Sequence, residues 1–452
     1  MKKMIFYLFP MLMLVAGCNN DDDGNGNRNM ATFTVTIENV AMENSFLDGG
    51  VFNTPVDAEA PAAAQPGEAY QFTFDAGRNQ HLSFATMLAA TNDLFFGPGN
   101  DGIALYDANG DPVEGDVTDQ VYLWDAGTEV NEEPYVGANT VTKQNAANTG
   151  DDENGMVLMI EDVTNGVAFD YPAVSDLIEV SLTYNGGTEF TATIEVLSTA
   201  QLDTSEGIVP APISPGVWVV HNGENPLYTE GAADLGQGLE SIAEDGDPSS
   251  LGAYIADNTG VTYPISPGVW VVHNANTSPL FEEGTADYGD GLEAIAEDGD
   301  VSMLQANLGG LSGEVDSGVF NTPVGDAAPG PLTPTKTYRF SFDAQDNERL
   351  SLVAMLAATN DVFLGTSDMG IALFDANGDP ISGDITNQFY WWDAGTEQNE
   401  QPSIGPNTVT NQTGANTGID ENGMVQLLSD VNDGYNYPTV GQVVKVSITS
   451  NQ

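Results

Sequence analysis

The chain has 452 residues, with 67 acidic side chains against 9 basic ones and a formal net charge of −58. That excess has the wrong sign for docking on nucleic acid or on anionic lipid. A single cysteine leaves no disulfide and no dithiol metal site, so rigidity has to come from core packing and bound ions.

At the start, Lys2 and Lys3 precede an apolar run over residues 4–16 that is broken only by Pro10. A transmembrane helix needs roughly 20 apolar residues, so this run reads as an export signal. It ends in Leu14-Val15-Ala16-Gly17-Cys18, which resembles a lipobox. The resemblance implies a lipoprotein signal peptide over 1–17, a lipid on Cys18 and attachment at an outer membrane or cell surface. An ordinary signal peptide with a chance cysteine is the competing reading. Residues 18–30 are rich in Asn, Asp and Gly, cannot bury apolar surface, and are expected to form an acidic tether. The acidic run after the cysteine resembles the surface-export signals of bacterial lipoproteins.

Further along, the sequence is written twice. Residues 50–155 align without gaps to 318–423, pairing Val51-Phe52-Asn53-Thr54-Pro55 with Val319-Phe320-Asn321-Thr322-Pro323. Trp124-Asp125-Ala126-Gly127-Thr128-Glu129 likewise pairs with Trp392-Asp393-Ala394-Gly395-Thr396-Glu397. The unit is too long for a solenoid repeat, so two whole domains are expected, over 31–186 and 187–452. A shorter repeat lies within the second: Ile213-Ser214-Pro215-Gly216-Val217-Trp218-Val219-Val220-His221-Asn222 recurs from Ile265 to Asn274. The two blocks, about 208–260 and 261–313, read as a duplicated insert, absent from the first domain and removable from the core.

Apolar and polar residues alternate at Phe33, Val35 and Ile37, at Tyr70, Phe72 and Phe74, at Ile178, Val180 and Leu182, at Phe190, Ala192, Ile194 and Val196, and at Val444, Val446 and Ile448. That period of two marks strands with one buried face. With Gly and Pro between the runs, the expected fold is all-β, two tandem antiparallel β-sandwiches. Short helices are expected only near 238–243 and 291–296.

Two features could hold a cation. Asp107-Ala108-Asn109-Gly110-Asp111, copied at 375–379, looks like half of a calcium loop. Proline follows where the helix-loop-helix motif needs glycine, so Asn109-Gly110 reads better as a hairpin turn. The second feature is Asp93, Asp125 and Glu129, with Asp361, Asp393 and Glu397 in the other copy. Residues 82–90 and 121–124 read as strands running the same way, which puts Asp93 and Asp125 past neighbouring strand ends. Gly127 lets the chain turn so that Glu129 faces back. Hard carboxylate oxygens on loops suit calcium. These acids could equally cap turns, and the spacing alone does not choose.

The motifs Gly50 to Pro55, Ala90-Thr91-Asn92-Asp93-Leu94-Phe95-Phe96, Gly102 to Asp107 and the Trp124 to Glu129 run resemble the N-terminal F-spondin domain. The resemblance covers nearly all of both repeats. It implies a calcium-dependent sandwich of the synaptotagmin type holding one Ca2+ per domain, through Asp93, Asp125 and Glu129 and through Asp361, Asp393 and Glu397. The last acid is Glu where animal relatives have Asp, which adds a methylene. Animal relatives are matrix and adhesion proteins, which makes an extracellular protein or glycan the expected partner.

Catalysis is not expected. His81, His221 and His273 lack zinc spacing, and there is no nucleophile elbow. A carbohydrate-binding surface module is the alternative, through Trp124, Trp218, Trp270, Trp391 and Trp392. Four of these tryptophans sit in repeated strand motifs that read as core. Trp391 is the exception, with Leu123 in its place in the first copy.

Overall fold

The computed structural model describes residues 29–164, 166 and 168–451. The expected signal peptide, Cys18 and most of the tether lie outside the described residues. No described helix is long and apolar enough to cross a membrane.

The fold is all-β, built from antiparallel sheets, as the alternating runs require. In the first sandwich one sheet runs Ala69–Asp75, Glu189–Val196, Ile178–Gly186, Gly115–Asp116. The sheet facing it runs Asp48–Phe52, Ile213–Asn222, Gln80–Leu88, Leu94–Pro98, Val121–Asp125, Leu158–Met159. Between them Phe72, Phe74, Phe84, Phe96, Val180, Phe190, Ile194 and Trp218 form one buried cluster. The second sandwich repeats the plan. Thr337–Gln345, Met30–Asn39 and Val444–Asn451 make its smaller sheet with Gly383–Asp384. Glu314–Phe320, Ile265–Asn274, Glu348–Leu356, Val362–Thr366, Phe389–Asp393 and Gln426–Leu427 make the larger one.

Strand pairing crosses the boundary expected at 186/187. Met30–Asn39 does not join the sandwich that follows it in sequence; it lies between Thr337–Gln345 and Val444–Asn451, with Phe33 opposite Phe342 and Val35 opposite Ile448. Its equivalent, Glu189–Val196, joins the first sandwich. The reason is local: Gly186 and Gly187, both at positive φ, turn the chain back on Ile178–Gly186, and the short hairpin fills the slot. The second sandwich is then completed by the only matching strand left, and Phe33, Val35 and Ile37 are fully buried there.

The inserted blocks also differ from expectation. The first is not an appendage, and it belongs to the first sandwich. Ile213–Asn222 sits between Asp48–Phe52 and Gln80–Leu88, and Ile265–Asn274 takes the same place in the second sandwich. Without them two long apolar strands would expose open edges. The expected helices form as Leu239–Asp245 and Leu292–Asp298, each followed by another, Ser249–Asp257 and Ser302–Asn307. Both pairs cover the outer face of a large sheet. Leu239, Ile242, Leu251 and Ile255 pack on Ala85, Phe95, Trp124 and Val219, and Leu292, Ile295 and Leu304 on Val353, Phe363, Trp392 and Val271. These sheets are therefore buried on both faces, unlike their smaller partners.

Candidate metal centre

The strand Gln80–Leu88 leaves its sheet at a tight turn that returns as Leu94–Pro98, and Thr91 closes the turn by donating to Leu88 O at 2.9 Å. Asp93 ends this turn. Asp125 is the last residue of Val121–Asp125 and lies one residue off, opposite Leu94. Asp125 is thus fixed by the ladder, and Asp93 by the turn beside it, where Asp93 O accepts Ala126 N at 3.0 Å. A third segment closes over them: Val130 N donates to Asp151 O, Glu153 N to Thr128 O and Gly155 N to Gly127 O, at 2.7 to 2.9 Å. Gly127 has φ +69, and a Cβ there would lie 2.5 to 2.8 Å from the backbone of Met156. Only glycine allows the two segments to approach so closely.

This arrangement gathers Asp93, Asp125 and Glu153, with one carboxylate oxygen from each mutually within 4.8 Å. Asp361, Asp393 and Glu421 form the same group in the second sandwich. Glu129 and Glu397, expected to complete the sets, do not. The Glu129 carboxylate accepts Asn92 Nδ2 at 3.1 Å and Gly150 N at 2.6 Å, and Glu397 makes the equivalent bonds to Asn360 and Gly418. The backbone N–H of Glu129 instead donates to Asp93 Oδ2 at 3.0 Å. The third acid is hidden because 140–155 has no periodicity and its three acids, Asp151, Asp152 and Glu153, are adjacent. The repeat narrows the choice without making it: Asp151 becomes Ile419, while Asp152 and Glu153 are both kept, as Asp420 and Glu421.

Asp93 is fully buried and Asp125 nearly so, at 1 % exposure. Burial, and then the charge of Asp125, push the Asp93 carboxyl well above the usual carboxylate range, against hydrogen bonds from Thr128 and Glu129. Burial likewise lifts Asp125 to about 6, opposed by the Asn131 amide. Asp361 and Asp393 repeat both shifts for the same reasons, Asp393 also to about 6. No lysine or arginine ion pair offsets these charges: the two ion pairs among the described residues are Lys143 with Glu206 and Lys336 with Asp326.

The donor set fits a hard cation. Ligands on one calcium, each about 2.3–2.6 Å from it, lie within about 5 Å of one another, the spread these oxygens have. Asn131 Oδ1 and Glu153 Oε2 are buried without a hydrogen-bond partner, and Asn399 Oδ1 is likewise unpaired in the second sandwich. Such acceptors are costly to bury unless something positive meets them. Asn131 Nδ2 donates to Asp125 Oδ2. The set has no sulfur or imidazole, which disfavours zinc and copper.

The other sequence candidates fall elsewhere. Asp107 accepts the N–H groups of Asn109 and Asp111 at 2.8 and 3.0 Å and Gly110 has φ +83, so this segment is a turn. His221 and His273 are buried in strands, each bonded through Nε2 to a serine hydroxyl, Ser83 or Ser351. All five tryptophans are at least nine-tenths buried. No protein-family model matches the chain, and no curated protein matches it by sequence.

Proposed function

We propose that the chain is a lipid-anchored cell-surface or outer-membrane protein. Its two spondin-like sandwiches each hold one calcium ion and serve adhesion or another extracellular interaction. The observation that carries this reading is the duplicated acidic group, in which the buried pairs Asp93 with Asp125 and Asp361 with Asp393 are joined by half-buried Glu153 and exposed Glu421, with no basic partner among the described residues. Occupied, each centre ties a strand turn, a strand end and the covering 150–155 loop together at one edge of its sandwich. Calcium would then stiffen the loops a partner meets and would do no chemistry. The spondin-type assignment rests on the sequence motifs, and the lipid anchor on the Cys18 motif. Metabolic labelling with a fatty-acid analogue tests the anchor, since Cys18→Ser should abolish the label. A chain labelled equally in that variant would remove the anchor from the reading.

A specific observation favours carbohydrate as the partner. Tyr390, Trp391, Tyr435 and Tyr437 line an open groove of about 1080 Å3 in the second sandwich. Tyr390 and Tyr435 are 41 % and 38 % exposed, and Asp384, Asn387 and Asp433 supply polar edges. Aromatic faces beside neutral and acidic acceptors suit an uncharged sugar. Glycan-array binding lost in Tyr390→Ala with Tyr435→Ala would support a sugar ligand, and binding unchanged in that variant would exclude this groove.

A further inference from the structure

The helices of the two inserted blocks carry a separate group of acids. In the second block the turn Asp287-Tyr288-Gly289-Asp290-Gly291 leads into Leu292–Asp298, and a small pocket of about 200 Å3 opens between them and the 412–416 loop. Asp287, Glu293, Glu297, Asp298 and Asn416 line it. One oxygen of each of three carboxylates is already engaged. Asp287 Oδ2 accepts Gly289 N at 2.9 Å, Glu293 Oε1 accepts Asn416 Nδ2 at 2.7 Å, and Asp298 Oδ1 accepts Gln412 Nε2 at 3.0 Å. What these bonds leave over is acceptor only. Asp287 Oδ1 and Glu297 Oε2 are buried with no partner, and Glu297 is only 2 % exposed.

The first block reproduces the arrangement. Asp234 Oδ2 accepts Gly236 N, Glu240 Oε1 accepts Asn148 Nδ2 and Asp245 Oδ1 accepts Gln144 Nε2, at 2.7 to 2.9 Å. Asp234 Oδ1, Gln237 Oε1 and Glu244 Oε2 are again buried and unpartnered, with Glu244 at 2 % exposure. Asp234 Oδ1 with Asp287 Oδ1, and Glu244 Oε2 with Glu297 Oε2, are thus unpaired in both copies of the repeat. A buried carboxylate oxygen with neither a donor nor a counter-charge is unfavourable, and Asp287 Oδ1 and Glu297 Oε2 are two such atoms on residues lining one pocket.

We propose that each insert holds a second divalent cation, calcium in a partly hydrated shell, between its first helix and the loop that covers the Asp93 or Asp361 centre. In the second block Asp287, Glu293, Glu297 and Asp298 surround the ion and hold it largely through its waters; in the first Asp234, Glu240, Glu244 and Asp245 do so. The acids surround the pocket without closing on one point, and 200 Å3 is several times the roughly 30 Å3 share of one water molecule. The ion therefore keeps some of its waters, as hard cations readily do. It would bind the helix to the covering loop, which otherwise depends on amide to carboxylate contacts. This inference does not require the centres at Asp93 and Asp361 to be occupied.

The test is calorimetric titration of the chelator-treated chain with calcium chloride in about 0.15 M salt, where diffuse attraction is screened within roughly 8 Å. Wild type is expected to bind four ions per chain. The Asp93→Asn, Asp361→Asn variant is expected to keep two, and adding Glu244→Gln and Glu297→Gln to remove them. Asp234→Asn with Asp287→Asn, on turns outside the helices, should remove the same two ions if the glutamine variants fail to fold. Two ions in wild type and the same two in the Asp93 and Asp361 variant would sink the earlier assignment but uphold this one. No calcium bound by the Asp93 and Asp361 variant, or two ions that survive both sets of insert substitutions, would overturn it.

Discussion

Replacing Asp93 and Asp361 by asparagine separates a metal centre from a capped turn. The Asp93 carboxylate accepts Thr128 N and Glu129 N through Oδ2 at 3.0 Å each, and Thr128 Oγ1 through Oδ1 at 2.6 Å. An asparagine that keeps its oxygen at the Oδ2 position preserves both backbone bonds. Its amide then faces the Thr128 hydroxyl, which can rotate and accept. The substitution also removes a buried charge beside Asp125. In chelator the double variant should therefore melt no lower than wild type, and higher above neutral pH. With calcium the order reverses. Extracellular calcium modules bind at roughly 10⁻⁴ to 10⁻³ M, so about 10 mM calcium stabilises each occupied centre by about 1.4 to 2.7 kcal/mol. At roughly 2 to 4 °C per kcal/mol for a unit of this size, that is a rise of about 3 to 11 °C. Differential scanning calorimetry with chelator and with calcium reads both signs. The double variant should lose this increment, keeping only what the helix sites supply. A variant that melts well below wild type in chelator, yet gains as much from calcium, would mean that Asp93 and Asp361 only brace their turns.

Three further outcomes are expected. The raised carboxyls bind protons more tightly in the folded chain, so their contribution to metal-free stability is complete below the unfolded value near 4 and is lost as pH rises through the folded one. That value is about 6 for Asp125 and Asp393, so the melting temperature in chelator should fall from pH 4 to 7 and the increment from calcium should grow over the same interval; a calcium increment independent of pH would contradict the shifts. Gly127→Ala places a Cβ against Met156 at positive φ and should cost at least about 1 kcal/mol and weaken calcium binding at the first centre, with Gly395→Ala doing the same at the second, both read by calorimetry. Starting the chain at residue 40 removes Phe33, Val35 and Ile37 from the second core, about 5 to 9 kcal/mol of apolar burial. Limited proteolysis should then cut first within 314–451, and equal resistance in a chain starting at 29 and one starting at 40 would deny that the strand closes that sandwich.

Much of this fold was legible because its smaller sheets have one covered face. Phe33, Val35 and Ile37 alternate with polar residues in a strand whose burial alternates likewise. The large sheets were harder. Leu94–Pro98 is buried at all five positions, so it carries no period of two and was not anticipated between its neighbours. Ile213–Asn222, buried at nearly every position, was seen as a repeated motif but not as a central strand. The repeat revealed two copies of each strand without saying which copy joins which sandwich, since both share one pattern. In the centre, Asp93 and Asp125 could be read from strand ends. Glu153 could not, because only the pairing of 151–155 with 127–130 carries it there.

The most direct measurement is anomalous diffraction from crystals grown in millimolar calcium. A peak about 2.3 to 2.6 Å from oxygens of Asp93, Asp125 and Glu153, repeated at Asp361, Asp393 and Glu421, is the expected result. Ordered loops around both trios with water or nothing between the carboxylates would contradict the reading of these acids as metal ligands.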